Sequence, residues 1–411
     1  MVDVVIVGGG PAGALAGITL ARSGVRAVLL DKKRFPRDKP CGGGIRHSVF
    51  RRFPDLADHL KRSVELHTVS RVLMESPSGA RVLAEDDGPL YLMLRRIELD
   101  AALLDRARAA GVEVVEEARV SAVRVGPAEA VVEAIDGRRW RARVVIGADG
   151  VNSIVARAAG LFDESAKEML AIDTMEETEF HELDVPDHDT MYVAYGCKGW
   201  PGYGYVFPKA RHVDAGVGFL VSFYKSTLDG SPYELHTRFL EEAAADGVVK
   251  GRSNRANFKA YRLPLGGPLA RTHADRVLLC GDAASFVNAY TGEGIYYAMV
   301  TGEHAALAAV EALARGDCSA AGLAGYETRW RAEIGHELAD SVRIQRRLFT
   351  NPGMADRVIR AASLDRRLCR LLARVALGEA DLRDHRWEMA WRFAFAGVRA
   401  RIRTRRWRAR S

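Results

Sequence analysis

The run Val4-Val5-Ile6-Val7 leading into Gly8-Gly9-Gly10-Pro11-Ala12-Gly13 constrains this chain more than any other stretch. β-Branched residues, glycines at Gly8-x-Gly10-x-x-Gly13 and an Ala- and Leu-bearing segment through Arg22 spell strand, tight turn and helix in that order. The first glycine permits the turn, the second lets backbone approach a pyrophosphate, and the third lets helix pack closely on strand. A phosphate then lies on the positive end of the helix. A second buried strand, Val28-Leu29-Leu30, ends at Asp31, whose carboxylate can accept hydrogen bonds from a ribose 2′-hydroxyl. An acid there disfavours a 2′-phosphate, which selects FAD or NAD(H) over NADP(H). Glycine clusters also make ordinary turns, so it is the register of strand, glycines, helix, second strand and acid that points to a dinucleotide.

Two later stretches aim at the same crevice. Val144-Val145-Ile146 runs into Gly147-Ala148-Asp149-Gly150 with helix resuming at Ser153, and Val277-Leu278-Leu279-Cys280 runs into Gly281-Asp282. After the second comes Thr291-Gly292-Glu293-Gly294-Ile295, opening an Ala-rich helix to about Arg315. Carboxylates and glycines at strand ends and helix starts suit a ribityl hydroxyl and an electron-rich pyrimidine ring.

Between Asp31 and Ile45, two prolines and Gly42-Gly43-Gly44 exclude a continuous helix and predict a shaped loop that holds Cys41 beside a flat or anionic ligand. A surface turn with an inert buried thiol is the alternative. Arg96 opens a helix spaced by Leu99, Leu103 and Leu104, either as a surface charge or facing the dinucleotide. From about Phe162 to Gly267, β-type segments broken by prolines predict a second, antiparallel sheet. In it Tyr203, Tyr205 and Phe207 alternate and share one face, as core packing or as the wall of an apolar-ligand cavity.

At 411 residues the chain can bury a large core without disulfides. Its five cysteines, Cys41, Cys197, Cys280, Cys318 and Cys369, show no Cys-x-x-Cys spacing, so no metal site and no disulfide framework are expected. The start lacks a basic region ahead of an apolar core, and no apolar run reaches the ~18 residues of a bilayer span. A cytoplasmic protein is expected, with membrane association through its end. There Trp387, Trp391, Phe395, Val398 and Ile402 fall at helical spacing among Arg399, Arg401, Arg403, Arg405, Arg406, Arg408 and Arg410. A basic amphipathic helix of this kind suits an anionic lipid surface, while docking on the protein's own body is the competing reading. Without an accompanying nucleic-acid fold, the net charge of +7 is no argument for a nucleic-acid partner.

The expected fold class is α/β: a Rossmann-like domain, which its resemblance to flavoprotein fingerprints makes an FAD-binding domain (GR2 type), with an antiparallel β-sheet substrate domain and a C-terminal helical region. Residues 1–68, 91–160 and 268–330 form the first, 69–90 and 161–267 the second, and 331–411 the third.

Gly8-Gly9-Gly10-Pro11-Ala12-Gly13, Arg96 with Leu99-Asp100, Gly147-Ala148-Asp149-Gly150 and Cys280-Gly281-Asp282-Ala283 together resemble the fingerprints of the p-hydroxybenzoate hydroxylase-like superfamily of flavoproteins. Within it, Lys39-Pro40-Cys41-Gly42-Gly43-Gly44 and Tyr203-x-Tyr205-x-Phe207-Pro208-Lys209, followed by Gly216-x-Gly218, resemble the geranylgeranyl reductase family. The family's pattern has Trp where Tyr205 stands. The resemblance implies FAD, with Gly13 approaching the pyrophosphate, Asp31 the adenosine ribose, Arg96 the phosphates, and Val120 the adenine through its backbone. Asp282 would hold the ribityl-diphosphate region, and Gly294 and Ile295 would meet the isoalloxazine, with Cys41, Gly42 and Gly44 on its other side. Gly8, Gly10, Ala12, Lys32, Asp149, Gly281 and Gly292 complete the implied cofactor set.

The implied activity is saturation of isoprenoid C=C bonds, with Tyr203, Tyr205 and Phe207 toward the substrate. Cys41 would shape the site or donate a proton. NAD(P)H or ferredoxin would be the electron donor, the former only as a transient visitor because no second Gly-x-Gly-x-x-Gly unit follows a strand. An FAD monooxygenase or halogenase-like enzyme acting on an apolar or aromatic molecule is the alternative activity.

Overall fold

The computed structural model describes residues 1–162, 169–196 and 202–408, with the side chains of 349, 350, 352 and 398–408 left aside. Cys197, Val398, Ile402 and the arginine side chains from Arg399 onward therefore lie outside the described residues.

The Val- and Ile-rich strand Val2–Val7 sits in the middle of an eight-stranded sheet. It pairs in parallel with Ala27–Leu30 on one side and Arg139–Gly147 on the other, and Glu113–Val115 and Val277–Leu279 continue the parallel order outward. Val4, Val5 and Ile6 are completely buried, which contributes about 1.5–3 kcal/mol per side chain. Arg139–Gly147 begins earlier than its apolar end suggests. Its first half pairs antiparallel with Ala130–Ala134, which pairs in turn with Val120–Val125, so one long strand carries both a meander and the parallel core.

Helix Pro11–Arg22 returns across this sheet and packs on the long helix Ile295–Arg315. Their approach is close enough that a Cβ on Gly302 would lie 2.1 Å from the Ala12 carbonyl oxygen. Gly316, at φ +72°, ends the long helix in the left-handed conformation that glycine adopts without strain.

The second sheet has seven strands in the order Phe258–Pro264, Leu170–Glu179, His212–Leu220, Gly202–Pro208, Thr190–Tyr195, Arg71–Glu75, Arg81–Glu85. Two corrections follow. The sheet is mixed, because Thr190–Tyr195 runs parallel to Arg71–Glu75, which arrives from a distant part of the chain. The region 162–267 also contains two helices, Val221–Thr227 and Pro232–Ala245. The second carries a legible start: Ser231 and Glu234 form a capping box around Pro232 at the first turn. Leu235, Phe239 and Leu240 on this helix cover the sheet face away from the first domain.

The loop expected through Ile45 gives way to a strand at Gly44–Arg46, held in a three-stranded sheet with Tyr91–Met93 and His67–Val69. Beyond Gly316 the described residues are helical apart from short connections. Ile359, Cys369, Ala373 and Leu377 pack against Val72, Met74, Ala84, Met191 and Val193 of the second sheet, so the C-terminal helices close one end of its inner face. Leu382–Arg408 docks through Met389 and Ala396, while Trp387, Trp391 and Phe395 point outward with 74%, 49% and 59% of their surface exposed. Among the described residues no helix is long and apolar enough to cross a membrane.

Candidate active site

The two large sheets face each other across a cavity of about 640 Å³, a size typical of cofactor and small-molecule sites. Its first wall is the carboxyl edge of the parallel strands. The backbone turns at Gly8 with φ +109°, where a Cβ would strike the Ala148 carbonyl oxygen at 2.2 Å. Gly10 caps the helix Pro11–Arg22 with no side chain bonded to the cap, and a Cβ there would meet nothing nearer than Arg37 at 3.8 Å. Free helix N–H groups thus face open cavity, a ready phosphate site. Ala12 lines the cavity beside them, but Gly13 does not. A Cβ on Gly13 would fall 1.9 Å from the Gly8 carbonyl oxygen, so packing of helix on turn requires this glycine. The approach to the pyrophosphate expected of Gly13 is thereby open only to its backbone.

Asp31 closes the adjacent strand beside Lys32. Its Oδ2 accepts the Gly9 N–H at 2.7 Å and its Oδ1 accepts the Lys33 N–H at 2.8 Å, which fixes the carboxylate while leaving lone pairs for a ribose. Val120 lines the same end. Asp149 lines the cavity, but its carboxylate caps the following helix, accepting from Ser153 Oγ at 2.6 Å and Ile154 N–H at 2.6 Å. What Asp149 offers a ligand is therefore its backbone.

At the other end Gly294 begins the helix Ile295–Arg315, again with no side-chain cap. Gly281, Asp282, Gly292 and Ile295 surround this second set of free N–H groups. Asp282 meets Lys39 at 3.5 Å, and Lys39 in turn lies 4.6 Å over the Tyr261 ring. Gly292, at φ +73°, gives way to the Tyr203 hydroxyl, which a Cβ would approach to 2.5 Å.

The Cys41–Gly44 segment lies between these parts and the second sheet. Here the glycines serve the protein's own packing: a Cβ on Gly42 would meet the Phe207 ring at 3.1 Å, and one on Gly44 the Tyr91 ring at 2.3 Å. Cys41 Sγ accepts the Gly43 N–H at 3.4 Å and lies in electrostatic reach of the Arg96 guanidinium. Arg96 is buried and paired with Asp100 through two hydrogen bonds of 2.8 and 2.7 Å. Burial works against its charge, but Asp100 and Cys41 outweigh this and hold its pKa above the usual value. Arg96 faces the cavity with this charge already matched, and Arg37 adds a second cation on Asp100 at 2.8 Å.

The second wall is the inner face of the seven-stranded sheet. Register places Tyr261, Asp173, Gly218, Tyr203 and Tyr195 in one row across it, and Gly216, Tyr205 and Val193 in the next. Tyr203, Tyr205 and Phe207 lean together, with ring centroids 5.9 and 4.7 Å apart, and all three line the cavity. Gly216 leaves room for the Tyr205 hydroxyl, which a Cβ would meet at 2.6 Å.

Two buried ionic clusters brace the walls. Arg46, just beyond the glycine loop, donates to Glu293 at 2.8 Å, Glu337 at 2.7 Å and the Tyr297 hydroxyl at 2.7 Å. It thereby ties the Cys41–Gly44 loop to the Gly292–Gly294 loop and to a C-terminal helix. Under Gly43, Lys209 Nζ lies 2.5 Å from Glu177 and 2.8 Å from Asp214. Burial opposes that ammonium, yet the two carboxylates keep its pKa up; burial pushes Asp214 up as well, since one ammonium serves two acids.

The sequence reading missed Asp173, Tyr91, Tyr195, Tyr261, Glu293 and Leu377, all of which line the cavity. Tyr195 had a signal, alternation in phase with an aromatic strand; Asp173, Tyr261 and Leu377 had none, because only sheet register and helix docking bring them there.

Residues 1–341 match the family described as FAD binding domain. A digeranylgeranylglycerophospholipid reductase of Methanococcoides burtonii is 32% identical over 361 residues, 85% of this chain and 84% of that protein. The corresponding enzyme of Methanosphaerula palustris is 32% identical over 348 residues, 80% of this chain and 81% of its own length. Among solved structures, a geranylgeranyl bacteriochlorophyll reductase-like protein of Thermoplasma acidophilum superposes with a TM-score of 0.77 at 23% identity, covering 89% of this chain and 92% of that one. The open space before Gly10, the two uncapped helix starts and the fixed Asp31 fit FAD, and FAD is the cofactor. With that crevice joined to an aromatic sheet face, the chain belongs to the geranylgeranyl reductase family of FAD-dependent oxidoreductases.

Proposed function

We propose that this enzyme saturates C=C bonds of an isoprenoid chain carried on a lipid or quinone-like substrate. The observation that carries the reading is the single cavity shared by the dinucleotide cradle and the aromatic wall of Tyr203, Tyr205 and Phe207. An isolated alkene is a poor hydride acceptor, so its carbons must be held against the cofactor with water excluded and a proton source at hand. Residues 1–68, 91–160 and 268–330 act as the cofactor unit. Asp31 and Lys32 hold the adenosine end, the helix start at Gly10 the pyrophosphate, and Asp282 with the helix start at Gly294 the flavin end. When bound and reduced, FAD supplies the hydride. Residues 69–90 and 161–267 hold the prenyl chain on the aromatic rings, with Met191 and Val193 extending the apolar floor.

Of the two roles expected for Cys41, shaping fits better. Its sulfur already receives the Gly43 N–H, a bond that holds the loop in place, and it sits beside the buried, paired Arg96 charge. A Cys41→Ser variant that binds FAD normally is expected to keep most turnover; loss of turnover with normal flavin reduction would return the proton to Cys41. The reaction itself is tested by anaerobic incubation of dithionite-reduced enzyme with a digeranylgeranylglycerol phospholipid. Mass spectrometry should show one pair of hydrogens added per bond, and an unchanged lipid with fully reducible flavin sinks the reading.

The physiological donor, NAD(P)H or ferredoxin, meets the cofactor only transiently, and stopped-flow reduction with each identifies it. The outward face of Trp387, Trp391 and Phe395, on a helix that ends in arginines, touches anionic lipid and presents the cavity to a bilayer-borne substrate. Replacing all three by serine should abolish sedimentation with anionic vesicles, and unchanged sedimentation rules the contact out.

A further inference from the structure

Asp173 is a carboxylic acid on the inner face of the substrate sheet, a place where an apolar ligand offers it nothing. It is 7% exposed and lines the cavity. Its Oδ1 is buried without a hydrogen-bond partner, and its Oδ2 accepts only the Tyr205 hydroxyl, at 3.5 Å. No cation pairs with it among the described residues. The titratable groups around it are Tyr205 and Tyr203 from the aromatic strand, Tyr261 across the sheet and Asp214 from the strand between; Cys41 approaches the same two tyrosines from the glycine loop.

An unpaired buried carboxylate is costly, so such a group keeps its proton. Burial lifts Asp173 to about 7, against which the Tyr205 hydrogen bond pulls only weakly. A structural acid of this fold looks different. Glu177 has Lys209, Asp100 has Arg96, and Glu176, on the opposite face of the Asp173 strand, has His236 and Ser253; Asp214 shares the burial and an unpartnered Oδ1, but its other oxygen rests on the Lys209 ammonium and it does not line the cavity. Gly218, opposite Asp173, keeps the space over Oδ1 clear: a Cβ there would lie 3.3 Å from it.

Resting on the reductase reading, we propose that Asp173 is the acid that protonates the substrate double bond at the aromatic wall. In a trisubstituted prenyl bond the π electrons take the Asp173 proton at the less substituted carbon, forming one C–H bond. Positive charge then develops at the tertiary carbon, where the Tyr203, Tyr205 and Phe207 faces stabilise it. That carbon receives the hydride, two electrons with one hydrogen, which the reduced cofactor supplies and is oxidised in supplying. The Asp173 carboxylate regains its proton from solvent, and the external donor restores the cofactor.

The test uses the full-length FAD-loaded enzyme, the prenyl phospholipid and anaerobic turnover. Asp173→Asn keeps the size and an acceptor for Tyr205 but cannot release a carboxyl proton. Turnover should fall by about a hundredfold or more, in the range of general acid catalysis, with FAD affinity and flavin reduction unchanged. Wild-type turnover should decline as pH rises through about 7, because the protonated acid is the active form. Tyr205→Phe removes the hydrogen bond that lowers the Asp173 pKa, so the alkaline decline should move to higher pH, a change that a structural role would not produce. Independently of turnover, the infrared difference spectrum of wild type minus Asp173→Asn should show the carbonyl band of a protonated carboxylic acid that titrates with the same midpoint, over and above the band of Asp214, which burial also raises. Wild-type turnover with Asp173→Asn within threefold of it overturns the proposal alone. A wild type inert toward prenyl lipid overturns the reductase reading and the proposal with it.

Discussion

Arg46 offers the sharpest test of how the cavity is held together. Its guanidinium makes four hydrogen bonds to carboxylates: Nε to Glu293 at 3.3 Å, Nη2 to Glu293 at 2.8 Å, and Nη1 and Nη2 to Glu337 at 3.1 and 2.7 Å. It also stacks 4.1 Å from the Tyr296 ring. Glu293 has only 2% of its side chain exposed. Replacing Arg46 by Met fills the space but strands that carboxylate, and removing one member of a buried ion pair costs about 3–5 kcal/mol. Adding Glu293→Gln to Arg46→Met should recover part of the loss, because the stranded charge is gone. The same cluster holds Gly292–Gly294 against the glycine loop, so FAD should bind roughly tenfold more weakly to Arg46→Met, a change of about 1.4 kcal/mol. Denaturant unfolding followed by circular dichroism, and FAD titration of the apoprotein, measure the two effects. A loss below about 1 kcal/mol, or a double variant less stable than Arg46→Met, refutes the argument that an unpaired Glu293 dominates the cost.

Three further outcomes follow from single contacts. Gly302→Ala places its Cβ 2.1 Å from the Ala12 carbonyl oxygen and should cost about 1–3 kcal/mol in denaturant unfolding, whereas Gly325→Ala meets only the end of Glu311 at 3.8 Å and should be neutral or mildly stabilising. Glu333 is desolvated, but His304 and Arg52 outweigh that and lower its pKa from 4.5 to about 2. Its contribution is present above the unfolded value and lost as pH falls toward about 2, so Glu333→Gln should be less stable than wild type by roughly 1–2 kcal/mol at neutral pH after solvent screening, and converge with it in strong acid. Asp173 has the opposite sign: its folded pKa of about 7 exceeds the unfolded 3.8, so its stabilisation is complete below 3.8 and lost as pH rises to about 7. Asp173→Asn should therefore gain on wild type by about 2–4 kcal/mol across that window in thermal or chemical unfolding, and a constant difference would contradict a protonated acid.

What the sequence determined by itself were features whose physics is local. The strand, glycine turn and helix from Val2 to Arg22 are dictated by β-branched burial, helix geometry and a turn that tolerates no side chain at Gly8. The returns at Gly147–Gly150 and Gly281–Ile295 were legible because the same local grammar repeats, and Tyr203-x-Tyr205-x-Phe207 because alternation alone puts three rings on one face. The capping box at Ser231 was equally local, but Pro232 reads as a break between strands as readily as the first residue of a helix. Tertiary structure decided the rest. Gly13 belongs to helix packing because the Gly8 carbonyl lies in its path, and Gly42 and Gly44 make room for Phe207 and Tyr91, rings that no spacing rule places there. Arg46, Glu293 and Glu337 find one another across most of the chain, since a buried charge is tolerated only where the fold delivers its partners. Asp173 is the converse: a single acid in a strand carries no sign of its surroundings, and only the register beside Gly218 and Tyr203 leaves it without a cation in the cavity the opening glycines begin.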